Sequence, residues 1–253
     1  MYSTFQPHPL LAAYVDAYWV SMATQFSQQR ILPDTCADII FNISDQPVTV
    51  GNNAIWIAPN TAFVVGTMTA FRDIVRQGNT GMLGIRFKPG GLHAFTELPL
   101  QLATDEHLLL SDITRDWHTR LVPLLEKASS ISEKVNCLEN FLLQRLPANN
   151  IVANTILESI HLIRQSNGNV APAVLADKAF MSSRTFERNF LRIVGVSPKT
   201  FSRIVRFVSV HRELKKEKSA TLLSLALDHG FYDHAHLTRE FKLLAGDNPS
   251  CWR

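Results

Sequence analysis

The chain has 253 residues, 46% of them hydrophobic and 19% charged, with a formal net charge of +3. That length accommodates two domains with cores of their own, and the balanced composition excludes a disordered or fibrous chain. Charge is unevenly placed: residues 1–154 carry 10 Lys and Arg against 13 Asp and Glu, and residues 155–253 carry 15 against 9. A basic half beside a mildly acidic one fits nucleic-acid contact confined to one part of the chain, or simply a solvated basic face.

Cys36, Cys137 and Cys251 are far apart and odd in number, so neither a disulfide framework nor a zinc site is signalled. Residues 1–20 have no basic residue ahead of their apolar ones and read as no export signal. The longest nearly apolar stretch, residues 61–71, is too short to span a bilayer. The expectation is a cytoplasmic protein without membrane contact.

Residues 1–100 read mostly as short strands. Trp56-Ile57-Ala58, Phe63-Val64-Val65 and residues 83–87 are β-branched or aromatic runs. Pro33-Asp34, Pro47, Gly51-Asn52-Asn53, Gly78-Asn79 and Pro89-Gly90-Gly91 are the turn formers around them. Together they predict a small barrel or sandwich. Residues 9–20 are the exception, with Leu10, Tyr14, Ala17 and Tyr18 on one helical face.

After Pro89, residues 92–95 predict a short helix and residues 108–146 a long helical stretch. Ser111-Asp112 is placed to cap its start, and the cluster at residues 128–132 splits it. Ile113, Trp117, Leu121, Leu124 and Leu125, then Val135, Leu138, Phe141 and Leu142, mark two apolar stripes. Such stripes offer a surface for a homodimer, or pack back on the β-rich part. Pro147-Ala148-Asn149-Asn150 is polar and helix-stopping. The boundary is drawn there: residues 1–150 form one domain, β-rich over 1–100 and helical over 105–146, and residues 151–253 form an all-α second domain. The expected fold class is α+β.

The last third of the chain repeats itself. Leu175-Ala176, Ala179-Phe180, Phe186, Phe190, Gly195 and Pro198 return as Leu225-Ala226, Gly230-Phe231, Leu237, Phe241, Gly246 and Pro249. The first pair matches at an offset of 50 and everything from Phe186/Leu237 onward at 51, so one residue is inserted at a turn. Each copy has the punctuation of a helix-turn-helix, the unit that sets a helix in the DNA major groove. In the first copy residues 173–179 form a short helix, Ser182 or Ser183 caps the next, and residues 184–194 form the reader. Phe186, Phe190, Ile193 and Val194 point inward, which leaves Ser183, Arg184, Glu187 and Arg188 on the outer face.

In the second copy residues 222–228 are the first helix, Gly230 the turn, Asp233 the cap and residues 234–244 the reader. Leu237 and Phe241 face in, and His234, His236, Thr238 and Arg239 face out. Arg suits guanine O6/N7 and Glu suits cytosine N4. Residues 199–216 connect the copies as one helix, with Phe201, Ile204/Val205 and Val208 as its buried stripe. Arg203, Arg206, Arg212, Lys215 and Lys216 lie off that stripe. Such a helix would hold the readers roughly 34 Å apart, one turn of DNA.

These residues resemble the DNA-binding domain of the AraC/XylS family of bacterial transcription regulators. The family pattern appears as Gly230-Phe231, then Leu237-Thr238-Arg239-Glu240-Phe241-Lys242, then Gly246-Asp247-Asn248-Pro249-Ser250-Cys251-Trp252-Arg253. Its echo is Phe186-Glu187-Arg188-Asn189-Phe190, Gly195-Val196-Ser197-Pro198 and Phe201-Ser202-Arg203. Ala179 stands where the second copy has Gly230, and Asn248 replaces the usual Ser/Thr before Pro. The resemblance implies a transcription regulator with no cofactor, with double-stranded DNA and RNA polymerase as partners. A small-molecule effector acting on the N-terminal domain is implied as well.

That N-terminal domain is similar to a sensor-type domain through residues 30–34, 36–41 and 84–91. Arg86 and Lys88 alternate along a strand and leave one face. With Arg30 they are candidates for an anionic ligand, unless Arg86 pairs with Asp34 or Asp38 to pin the sheet. His229, His234 and His236 do not form a metal set, because His234 and His236 point apart on a helix. An enzyme is not expected. There is no P-loop, Gly78-x-x-Gly81-x-x-Gly84 lacks the dinucleotide spacing, and His8, His93, His107 and His118 are scattered. The rival readings are a DNA-repair enzyme with Cys36, near Asp38, as acceptor, and a regulator responding only to a protein partner.

Overall fold

The computed structural model describes residues 1–50, 55–76, 78–148, 150–216 and 221–252. The turn expected at Gly51-Asn52-Asn53, Asn149 of the linker and Arg253 lie outside the described residues. The chain opens with β1 (Tyr2–Phe5), a 3-10 turn at Pro9–Leu11 and β2 (Val15–Ala23). It continues through β3 (Ser27–Ile31), β4 (Ala37–Asn42), β5 (Val48–Val50), β6 (Ile55–Ile57), β7 (Ala62–Val65), β8 (Arg72–Arg76) and β9 (Thr80–Phe87). Then come α1 (Gly91–Thr96), β10 (His107–Leu109), α2 (Leu110–Ile113), α3 (Arg115–Lys127) and α4 (Ile131–Leu143). Six strands make one antiparallel sheet in the order β1-β2-β9-β4-β7-β10, while β3-β8 and β5-β6 are separate two-stranded ribbons.

The helix expected over residues 9–20 does not form. β2 lies between β1 and β9 and pairs with β9 from Val15↔Phe87 to Ala23↔Thr80. Two ladders of backbone hydrogen bonds outweigh a helical spacing of apolar residues, and Leu10, counted on that helical face, is exposed. The long helical stretch also starts later than expected. Residues 107–109 are a strand against β7, and the cap of α3 is Thr114, whose hydroxyl accepts from the Trp117 N–H, in place of Ser111-Asp112. Ser130 and Glu133 form a capping box that starts α4 inside the cluster expected to split the stretch.

Both apolar stripes of α3 and α4 pack back on the strands. Trp117, Leu121, Leu125, Val135, Leu138, Phe141 and Leu142 share one core with Leu11, Tyr18, Ile39, Phe41, Leu83, Ile85 and Phe87. Trp117 meets Phe141 edge-on at 5.1 Å. Each large apolar side chain so buried is worth about 1.5–3 kcal/mol. The surface offered for self-association is therefore spent inside the chain, with Leu124 the one residue of the expected stripes left exposed.

The C-terminal part is α5 (Ile151–Gln165), α6 (Pro172–Lys178), α7 (Ser183–Val194), α8 (Pro198–Lys216), α9 (Leu222–Asp228) and α10 (His234–Ala245), closed by a 3-10 turn at Pro249–Trp252. Asn150 caps α5 through its side-chain oxygen. α8 is buried on two faces where one stripe was expected. Phe201 and Val205 join the core of α5, α6 and α7, and Ile204, Phe207, Val210 and Leu214 join that of α9 and α10. Val208 is only half-buried at the edge of the second core. Each helix-turn-helix thus has its own core, and α8 belongs to both.

With the α3 and α4 stripes consumed internally, the full chain is expected to sediment as a monomer at micromolar concentration. A dimer would show that another surface associates.

Candidate nucleic-acid interface

The two copies superpose in chain logic down to their turns. Ala179 caps the C-terminal end of α6 and His229 that of α9. The next residues, Phe180 and Gly230, both take left-handed backbone, at φ 52° and 73°. Met181 N–H then donates to Ala176 O at 3.0 Å, and Phe231 N–H to Ala226 O at 2.8 Å. These paired bonds make Phe180 the counterpart of Gly230, correcting the expected match with Ala179. The inserted residue is Tyr232, since the caps that follow, Ser182 and Asp233, are again in step. Ser182 Oγ accepts from Thr185 N–H at 3.3 Å and Asp233 Oδ1 from His236 N–H at 2.7 Å, each satisfying a donor that the first turn of a helix leaves free.

On α7, Phe186, Phe190, Ile193 and Val194 are buried, and Ser183, Arg184, Glu187 and Arg188 are all exposed. Among the described residues none of Arg184, Glu187 and Arg188 is in an ion pair. On α10, His234 and Arg239 are exposed as expected. His236 and Thr238 are half-buried and locally engaged. His236 Nδ1 accepts from Tyr232 N–H and its ring meets Phe231 edge-on at 5.4 Å, while Thr238 Oγ1 donates to His234 O at 2.8 Å. The exposed Tyr232 and Ala235 were not anticipated on this face; the one-residue insertion and the 51-residue offset from Arg184 could have marked them.

Two cations of α8 are not free. Arg203 pairs with Glu240 at 2.9 Å, and Arg206 lies over the Phe231 ring at 5.5 Å, with its pKa lowered by burial. Arg212, Lys215 and Lys216 are exposed. His229 is buried and shares its Nε2 with Glu213 at 2.7 Å. Among the described residues no group of three or more His, Cys, Asp and Glu is placed to hold a metal.

The three N-terminal candidates for an anion are already partnered. Arg30 binds Asp73 at 2.8 Å and reaches Asp247 at 2.6 Å. Arg86 pairs with Asp34, with Asp38 at 3.3 Å and with Asp16 at 3.6 Å, and Lys88 Nζ donates to Ala12 O. The sheet-pinning alternative for Arg86 is the one realised. Between the main sheet and the β3-β8 ribbon lies a cavity of about 240 Å³, lined by Trp19, Phe63, Met68 and Met82 with Arg76 and His107 among them. Arg76 is buried and donates to Ser21 and Thr80; it belongs to a strand whose polar sequence hid it. Burial, and then the negative charges of Asp38 and Asp16, push the Cys36 thiol up to about 12, the reverse of what a nucleophilic acceptor needs.

No helix among the described residues is long and apolar enough to cross a membrane. Residues 175–253 match the family described as "Helix-turn-helix domain", and residues 3–109 match "Domain of unknown function (DUF6597)". No curated protein matches the sequence. Among solved structures, ToxT from Vibrio cholerae is similar at 12% identity, covering 93% of this chain and 97% of its own, with a TM-score of 0.48. The DNA-binding domain of AdpA, solved with a target DNA, is 22% identical over 41% of this chain and 90% of its own, with a TM-score of 0.35. The AraC-like transcriptional activator CuxR is 13% identical over 84% and 80%, with a TM-score of 0.34. A duplicated helix-turn-helix on a shared helix defines the C-terminal part as a DNA-binding domain of the transcription-regulator class. The match over residues 175–253 is to a helix-turn-helix domain, the same stretch that carries the resemblance to the AraC/XylS regulators.

Left-handed backbone at a bulky residue costs about 1–3 kcal/mol, and the Phe180 side chain is 97% exposed. Phe180→Gly is therefore expected not to lower the thermal midpoint. Gly230→Ala should lower stability by at least about 1 kcal/mol, because its Cβ would fall 1.9 Å from Asn169 Oδ1. Equal effects of the two substitutions would contradict the equivalence of the turns.

Burial, reinforced by Arg72, lowers the His107 pKa to about 4, against about 6.5 in an unfolded chain. The unfolded state takes up the proton first, so the contribution of His107 is complete above pH 6.5 and is lost as pH falls toward 4. Urea unfolding at pH 7 and pH 4.5 should show a smaller acid loss in His107→Gln than in the wild type.

Proposed function

We propose that the protein is a transcription regulator that reads duplex DNA through α7 and α10, placed in successive major grooves. The observation that carries this is the pair Arg188 and Arg239. They hold the same place in the two copies, one turn into each reader, exposed and outside every ion pair among the described residues, while the opposite faces of the same helices are buried. Ser183, Arg184, Glu187 and His234 complete the surface, and the half-buried His236 and Thr238 shape it from within α10. On this reading residues 1–150 form the sensor and 151–253 the DNA-binding domain, and one chain supplies both readers. RNA polymerase is the further partner. The 240 Å³ cavity supports control by a small molecule held inside the N-terminal sheet.

The test is binding of the full chain to duplexes selected from a random pool. Affinity should fall at least about tenfold between 50 and 200 mM salt as condensed counterions are released. Arg188→Ala and Arg239→Ala should each cost about 1–3 kcal/mol and relax preference at one base position. A uniform loss across sequences would reassign that arginine to phosphate, and salt-insensitive or absent binding would refute the proposal.

A further inference from the structure

We infer that the wall of the N-terminal cavity is the seat of both reading helices, with Thr67 and Arg30 as positioning residues that hold the two readers in register. This rests on the DNA-reading proposal and names how the readers are controlled. Where neighbouring residues face opposite ways, as they do along a strand, the inside and outside of a wall lie only one residue apart; residues 66–68, just past the end of β7, and the β3-β8 ribbon both form such a wall. Gly66 and Met68 line the cavity. Thr67, between them, is buried and donates from Oγ1 to Val194 O at 2.9 Å, at the last turn of α7. Thr104 makes the neighbouring bond to Gly195 O at 2.6 Å.

The β3-β8 ribbon repeats the pattern for the second reader. Gln29 and Ile31 line the cavity, and Arg30 between them donates to Ala245 O at 3.2 Å and to Asp247 Oδ2 at 2.6 Å, at the end of α10. Asp73, itself between the cavity residues Arg72 and Ile74, braces the same guanidinium at 2.8 and 3.0 Å. Phe71 lies 4.3 Å beneath it. Gly195 and Gly246, the matching left-handed ends of the two readers, are the points of contact: a Cβ would stand 2.9 Å from Thr104 Oγ1 at the first and 2.8 Å from Arg30 Nη1 at the second.

The N-terminal wall, α7, α8 and α10 therefore form a closed ring, and a change in the wall is felt by both readers. The Arg30–Asp247 contact, with side chains 30% and 50% exposed, is the releasable link, whereas the Thr67 contact is sealed.

The test uses the full chain and a duplex selected by it from a random pool, with one or two base pairs then inserted between the two footprinted segments. The wild type is expected to lose at least tenfold in affinity per insertion. Arg30→Met and Asp247→Ala should bind the parent duplex within threefold of wild type and lose no more than threefold on insertion. The double variant should behave like either single one, and Arg30→Lys should restore part of the spacing dependence. Circular dichroism and melting establish that each variant is folded. Unchanged spacing dependence in both folded variants, or an equal loss at every spacing, overturns the inference alone. Absence of salt-sensitive binding by the wild type overturns it together with the DNA-reading proposal.

Discussion

A helix with an exposed N-terminal end still has a C-terminal end, where the last carbonyls have no partner within the helix and carry the negative pole of its dipole. Here those ends do not face water. Val194 O and Gly195 O receive two threonine hydroxyls, and Ala245 O receives a guanidinium. Satisfying these acceptors draws the N-terminal sheet against both readers, and it explains why residues as far apart as Arg30 and Asp247 meet. The left-handed glycines make the approach possible, since a side chain at Gly195 or Gly246 would collide with the surface that caps it.

How much of this is legible in the sequence depends on whether a residue answers to its neighbours along the chain or to partners elsewhere. The helix-turn-helix copies are legible because their information is local: Ser182 and Asp233 cap, Gly195 and Gly246 stop, and the buried residues recur at helical spacing. β7 and β9 are legible as apolar runs. β3 and β8 are not, because Gln29, Arg72 and Arg76 line a cavity on one side while Arg30, braced by Asp73, meets the C-terminal helices on the other, so no apolar alternation survives. β2 misleads for the opposite reason. Buried between two strands with a bulge near Asp16, its apolar residues imitate a helical period.

Charges were the least readable feature. A sequence displays a cation but not what it touches, and Arg30, Arg86, Arg203 and Lys88 all proved to be spent on carboxylates or carbonyls. The arginines that remain unpaired on the readers are distinguished only by helical phase. Histidines followed the same rule. His229 is buried and spent on Glu213 through its Nε2, and His236 became part of a turn because the inserted Tyr232 left a backbone N–H to satisfy.

The copies share a plan but not a surface. Where the first reader shows Ser183, Arg184, Glu187 and Arg188, the second shows His234, Ala235, Thr238 and Arg239. Only the arginine at the end of each set is common. Their order along the chain is fixed by α8, so on the proposed reading the protein carries an arrow: a stretch of duplex would present it with one fit when approached one way round and another when reversed. A single chain bound in this manner can tell upstream from downstream, which a two-fold symmetric pair of identical readers cannot do.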